Sequence, residues 1–264
     1  MFDLNTFAVD EPQRVAFSRN NKLAWYTNQI ENLSIKVDGE TVEKKDAHGN
    51  TIFTIPKGKK CTVEFDVSVY DLNIIADMNG TVKKVASSTN KLTASAFEEF
   101  DISDNQIEVT LKNNAIAGTI FVQTLTTDGS LKRLFTVAEA TAEGKVTYTD
   151  ASKKITFNEG DIAKGDTVLV VYDYETASAV GFDVTANDKP TPGKLYVEVT
   201  GYDICDKETK LFAYYRFPAA QMQPSNQQDI KIDSVYHVTM DCSVDYCDKL
   251  KRFYGVIVPG IDEE

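Results

Sequence analysis

At 264 residues, with 42% hydrophobic and 26% charged side chains, the chain can bury roughly 70–75% of its unfolded surface, so one large domain or two small ones hold together without disulfide or metal staples. Its net charge of −12 and its scattered cations, which cluster only at Lys57–Lys60 and Lys249–Arg252, disfavour a sequence-specific nucleic-acid binder, because gripping phosphates takes concentrated Lys and Arg. No apolar run approaches the eighteen residues of a membrane-spanning helix, and MFDLNTFAVDEPQR carries acids where a secretion signal needs bases.

The N-terminal arm, Met1–Arg19, sets Phe2, Leu4, Phe7, Val9 and Phe17 around one proline. It reads either as an extra edge strand on its own domain or as a strand laid on a neighbouring copy. Phe2, Leu4, Phe7 and Val9 are therefore candidate contacts between copies. Asn20-Asn21 signals a turn. NLSIKVDGE then alternates, with Leu33, Ile35 and Val37 on one face and Ser34, Lys36 and Asp38 on the other. The DAHGN turn follows, and its Asp46, His48 and Asn50 are further contact candidates. Beyond it, KKCTVEFDVSVY places Cys61, Val63, Phe65, Val67 and Val69 opposite Thr62, Glu64, Asp66 and Ser68. Such period-two patterns predict half-buried antiparallel strands.

YDLNIIADMNG is the helical exception. Asp71 can cap it, Leu72, Ile75 and Ala76 form a stripe, and Gly80 can end it, which predicts one short helix near residues 71–79. NQIEVTLKN returns to alternation through Ile107, Val109 and Leu111. Turn signals then predict hairpins of 119–127 with 131–139 and of 145–149 with 154–158. NDKPTPGK, Asn187–Lys194, is the best internal break, and three aromatic-rich strands follow at 195–202, 211–217 and 232–242. The sum is an all-β, mainly antiparallel sandwich or barrel of about a dozen strands with one short helix. It forms a single domain over 20–259 between the arm and an acidic tail at 260–264.

Reactive residues are few. In a regular strand through DSVYHVTMDC, His237 and Cys242 point to opposite faces, so they cannot share an ion or act as nucleophile and base. Cys242 and Cys247 lack the spacing of a zinc knuckle, and the four cysteines read as reduced thiols. His48 sits in a turn, and acids alternating along strands read as a solvated face. NEGDIAKGD lacks the ligand spacing of a calcium loop. No phosphate loop, dinucleotide fingerprint or serine elbow is present. These features assign no catalytic residue, no metal site and no cofactor.

Several stretches together carry a resemblance. NNKLAWYTNQIENLSIKV followed by KKDAHGNTIFTIPKGKKCTVEFDVSVYDLNIIADMNG, then KKITFNEGDIAKGDTVLVVYDYET, then GKLYVEVTGYDICDKETKLFAYYRFPAAQMQPS with DSVYHVTMDCSVDY, resemble the opening, central and closing parts of tail tube (major tail) proteins of long-tailed bacteriophages. The resemblance runs from about Lys22 to Pro259. It implies a structural virion protein without enzymatic activity, which self-assembles, with other tail proteins, into stacked hexameric rings in the host cytoplasm. DNA would pass through the lumen of the phage tail without specific binding, and no membrane is involved. Two other classes fit the composition: a capsid decoration, connector or immunoglobulin-like binding module, and a carbohydrate-active enzyme with facing carboxylates.

Overall fold

The computed structural model describes residues 4, 6–104, 106–205, 208–224, 230–232 and 234–260. The expected acidic tail lies outside them apart from Gly260. Along the described residues run β1 (Phe7–Arg19), β2 (Lys22–Thr27), β3 (Ile30–Lys45), β4 (Thr51–Val67), α1 (Leu72–Met78), β5 (Lys84–Val85), β6 (Leu92–Asp101), β7 (Glu108–Thr110), β8 (Phe121–Leu125), β9 (Leu131–Val137), β10 (Lys145–Thr149), β11 (Lys154–Thr156), β12 (Thr167–Thr176), β13 (Val180–Gly181), β14 (Gly193–Asp203), β15 (Lys210–Met222), β16 (Tyr236–Cys242) and β17 (Gly255–Ile257). Five of these strands have only two or three residues; the others number the expected dozen. All pairings are antiparallel except β9 with β10. The strands divide between two compact units, Met1–Lys83 with Phe182–Glu264, and Lys84–Gly181. The breaks thus fall at 83/84 and 181/182, and the Asn187–Lys194 segment lies inside the first unit.

In the first unit one sheet runs β2-β1-β14-β15-β16-β4-β3, with β17 beside β15. The arm is an inner strand of this sheet, paired from Phe7↔Asp203 to Ser18↔Lys194. Asn20 and Asn21, both in the left-handed region, make the tight turn into β2. Alternation through β4 holds: Cys61, Val63, Phe65 and Val67 are buried, and the residues between them are half-exposed. The buried face meets Val15, Phe17, Trp25, Leu195, Phe217 and Met240, with the Phe17 and Trp25 rings stacked 5.4 Å apart.

Helix α1 closes this core with Ile74 and Met78. Asp71 caps it by accepting from the N–H groups of Asn73 and Ile74 at 2.7 and 3.3 Å. Gly80, at φ +74°, ends it where a side chain would collide with the Lys189 backbone. The buried carboxylate of Asp77 accepts from Trp25 Nε1 at 2.8 Å and pairs with Arg19, so this internal charge is neutralised and hydrogen-bonded.

The second unit carries a sheet ordered β6-β12-β8-β9-β10-β11-β7 and a small β13-β5 ribbon. Both predicted hairpins are present, β8 with β9 and β10 with β11. Val122, Phe135, Ile155, Phe157, Val168 and Val170 form the core. Strand β6 turns its polarity around: Glu98 points inward and Phe97 outward. Glu98 Oε1 accepts from the Tyr172 hydroxyl and from the Lys112 N–H at 3.1 Å. Asp161 is likewise satisfied, by Arg133 at 2.9 Å and the Gly144 N–H at 2.8 Å.

Candidate functional site

Hairpin β3–β4 outgrows its sheet. The neighbouring strand β16 pairs with β4 only from Cys61 to Val67, whereas β3 and β4 stay paired from Ile30↔Val67 to Lys45↔Thr51. From Val37 outward the two strands form a ribbon with no third strand among the described residues. At about 3.4 Å per residue, the ribbon from Val37 to Lys45 reaches about 27 Å. It carries apolar side chains without a core beneath them: Ile52 is 69% and Phe53 60% exposed, and Val42 and Ile55 are exposed as well. One strand supplies Asp38, Glu40 and Glu43 and the other Lys57, Lys59 and Lys60, with Asp38 opposite Lys60. The ion pairs of these residues run along the strand or away from the ribbon: Asp38 pairs with Lys36 at 3.0 Å, Glu43 with Lys45 at 3.5 Å, and Lys60 with Asp241 at 3.4 Å.

The DAHGN turn closes the tip. Asp46 Oδ1 accepts from the N–H groups of His48 and Asn50, both at 2.8 Å, and Oδ2 accepts from Asn50 Nδ2 at 3.1 Å. Gly49 takes the left-handed conformation at φ +86°. These bonds, the Asn50 backbone foremost, hold the Asp46 carboxyl below the usual carboxylate range. His48 and Asn50 are exposed at the tip. Among the N-terminal candidates, Leu4 is half-buried, Phe7 packs half-buried against the first unit's core, and Val9 is exposed. Phe2 lies outside the described residues.

Strand β16 keeps the parity read from the sequence, with His237 exposed and Cys242 buried on the other face. His237 Nδ1 lies 2.7 Å from Asp66 Oδ1. Cys242 faces Cys61 across the β16–β4 ladder, a juxtaposition that sequence spacing does not signal. Burial and the Cys61 neighbour push the Cys242 thiol well up, and burial raises Cys61 too; both are inert as thiols. Among the described residues no three His, Cys, Asp or Glu side chains gather in a geometry that could hold a metal ion.

The chain matches the sequence model of the YomU/Tube protein family over residues 7–249. No curated protein matches it.

Proposed function

The chain belongs to the YomU/Tube protein family, whose name denotes the phage tail tube, and from that membership we propose that its copies close into hexameric rings that stack into a tube conducting DNA. The β3–β4 ribbon is the observation that carries the proposal. An isolated two-stranded ribbon is marginal in water, and one with exposed Ile52, Phe53 and Ile55 gains by lying on another copy. In the proposal it reaches across to the next ring, with Asp46, His48 and Asn50 at the contact. At the N-terminal segment, contacts between copies fall mainly to Val9, because Phe7 is engaged with the chain's own core.

Ring closure supports the reading from a second side. Strands β2 and β3 end one sheet and β6 and β7 the other, and pairing such edges between copies removes an aggregation liability. The net charge of −12 repels phosphate, so DNA would slide through the lumen without adhering. A structural, non-catalytic role accords with the family. Assembly in the host cytoplasm alongside other tail proteins completes the proposal.

Negative-stain electron microscopy and mass photometry across a concentration series test it. Rings or tubes with a channel of at least duplex width, about 20 Å given the 12 Å major groove and its backbones, are expected. Replacing Gly39–Gly58 by an Asn-Gly turn should leave rings that no longer stack. Monomers at every concentration would overturn self-assembly, and tubes from the shortened variant would overturn the ribbon's part in it.

A further inference from the structure

Two sheet faces outside the ribbon are unusual for opposite reasons. On the outer face of the second unit, Val171 lies between Phe97 and Phe121 in register, and these two rings are 74% and 62% exposed. The next rung adds Leu169 and, one strand over, exposed Leu134. Glu99 and Asp101 follow Phe97 on the same face of β6, and neither has a cation partner among the described residues.

The outer face of the first unit is the converse. Tyr26, Ala16, Tyr196 and Arg216 form one row across four strands, and Tyr214 belongs to the rung beside it. Together with Arg14 they line an apolar groove of about 310 Å³. The Arg216 guanidinium lies over the Tyr196 ring, 5.7 Å from its centre, and neither Arg216 nor nearby Lys194 has a carboxylate partner among the described residues.

We infer that these faces dock between copies: the Phe97–Val171–Phe121 face of one chain packs into the tyrosine–arginine groove of the next. Three observations carry this. The apolar ridge meets an apolar groove; two unpaired carboxylates meet two unpaired cations; and Tyr with Arg is the composition of an energetic centre in protein interfaces. The contact uses different surfaces on its two sides, so it propagates head to tail, as a ring of the proposed tube requires, and not as an isologous pair. Four strands at about 4.8 Å by five residues at about 3.4 Å give a face of about 19 by 17 Å. That is small beside the roughly 800 Å² per partner of a stable pair, so the contact needs the ring to hold. The inference rests on the self-assembly reading and adds to it which faces meet.

A charge exchange tests it independently of register. Glu99→Lys with Asp101→Lys makes the ridge basic; Lys194→Glu with Arg216→Glu makes the groove acidic. All four positions are exposed, so folding should survive, checked by circular dichroism and Trp25 fluorescence. Each double variant should need at least tenfold more protein to form oligomers in mass photometry, and the quadruple variant should return to within about threefold of wild type, because it restores opposite charges across the contact. Phe97→Ser should weaken assembly without any charge change. Wild-type rings that persist unchanged in both double variants would overturn the inference and leave the faces to another tail protein, with the tube reading intact. A quadruple variant no better than the doubles would also overturn it. A wild type that stays monomeric throughout would overturn the tube reading as well.

Discussion

Asp77→Ala tests the packing logic of the first unit. Asp77 is the shared anion beneath α1, accepting from Trp25 Nε1 and pairing with Arg19. Burial alone already lowers the Arg19 pKa, so the guanidinium sits where an unpaired charge is costly. Removing one partner of a buried pair costs about 3–5 kcal/mol. The Arg19 side chain keeps 22% of its exposure, so some water can solvate it and the low end, about 3 kcal/mol, applies. The loss of the bond to the indole N–H is contained in that figure. The assay is urea denaturation followed by the fluorescence of Trp25, the chain's single tryptophan, which reports on the first unit alone. With a slope of about 2 kcal/mol per molar urea, the midpoint should fall by about 1.5 M. Adding Arg19→Met should recover more than half of the loss, because the orphaned charge goes with it. A midpoint shift below about 0.4 M, or no recovery in the double variant, would refute the account of Asp77 as a satisfied internal charge.

Four further outcomes follow from the same structure. Gly201→Val should detach the start of β1, since even a Cβ there would lie 2.2 Å from the Ala8 carbonyl oxygen; hydrogen exchange should rise over residues 7–12 while β4 stays protected. Native protein treated with a maleimide at pH 8 should modify Cys205 and Cys247 and spare buried Cys61 and Cys242, as read by intact mass. Because both buried thiols have folded pKa values raised above the unfolded value of about 8.5, their contribution is complete below that pH and is lost as pH rises through the alkaline range; a flat thermal midpoint from pH 8 to 10 in wild type, identical to a Cys61→Ala, Cys242→Ala variant, would contradict this. At the ribbon tip the sign reverses: the Asp46 carboxyl is lowered, so its turn bonds are present at neutral pH and are lost as pH falls through the depressed folded value. Proteolysis at the tip should quicken there, and Asp46→Ala should cleave quickly at every pH.

The sequence is a good guide where one face is buried and the other wet. Cys61 to Val67 alternates because the core begins at Cys61, and the helix at Leu72–Met78 is announced by its Asp71 cap and its Gly80 end. Alternation does not say where the core stops. Val42, Ile52 and Ile55 are apolar residues in a ribbon with no core under it among the described residues, so the candidate surface was legible only at its tip, in DAHGN. In β6 the local rhythm does not announce the faces, because Glu98 lies inward on the Tyr172 hydroxyl and the Lys112 N–H, and Phe97 is left outside. That exchange depends on residues 14 and 74 positions away, which local patterning does not contain. The arm is similar: pairing with β14 fixes it as an inner strand, and its partner lies some 190 residues further along.

The chain order of the first unit also sets a timetable. Its sheet places β14 between β1 and β15 and sets β16 against β4, so the N-terminal strands find their partners only after the middle unit has been made. A ribosome adding about 5–20 residues per second takes roughly 10–30 s to pass from Lys83 to Cys242. During that interval the strands of Lys84–Gly181 already have all their sheet partners, while β1 and β4 each lack the neighbour that completes their ladder. A truncated or half-made chain therefore lacks a finished sheet, and with it the groove built from β1, β14 and β15. Translation itself acts as a proofreader: only a chain read through its closing strands presents both docking faces.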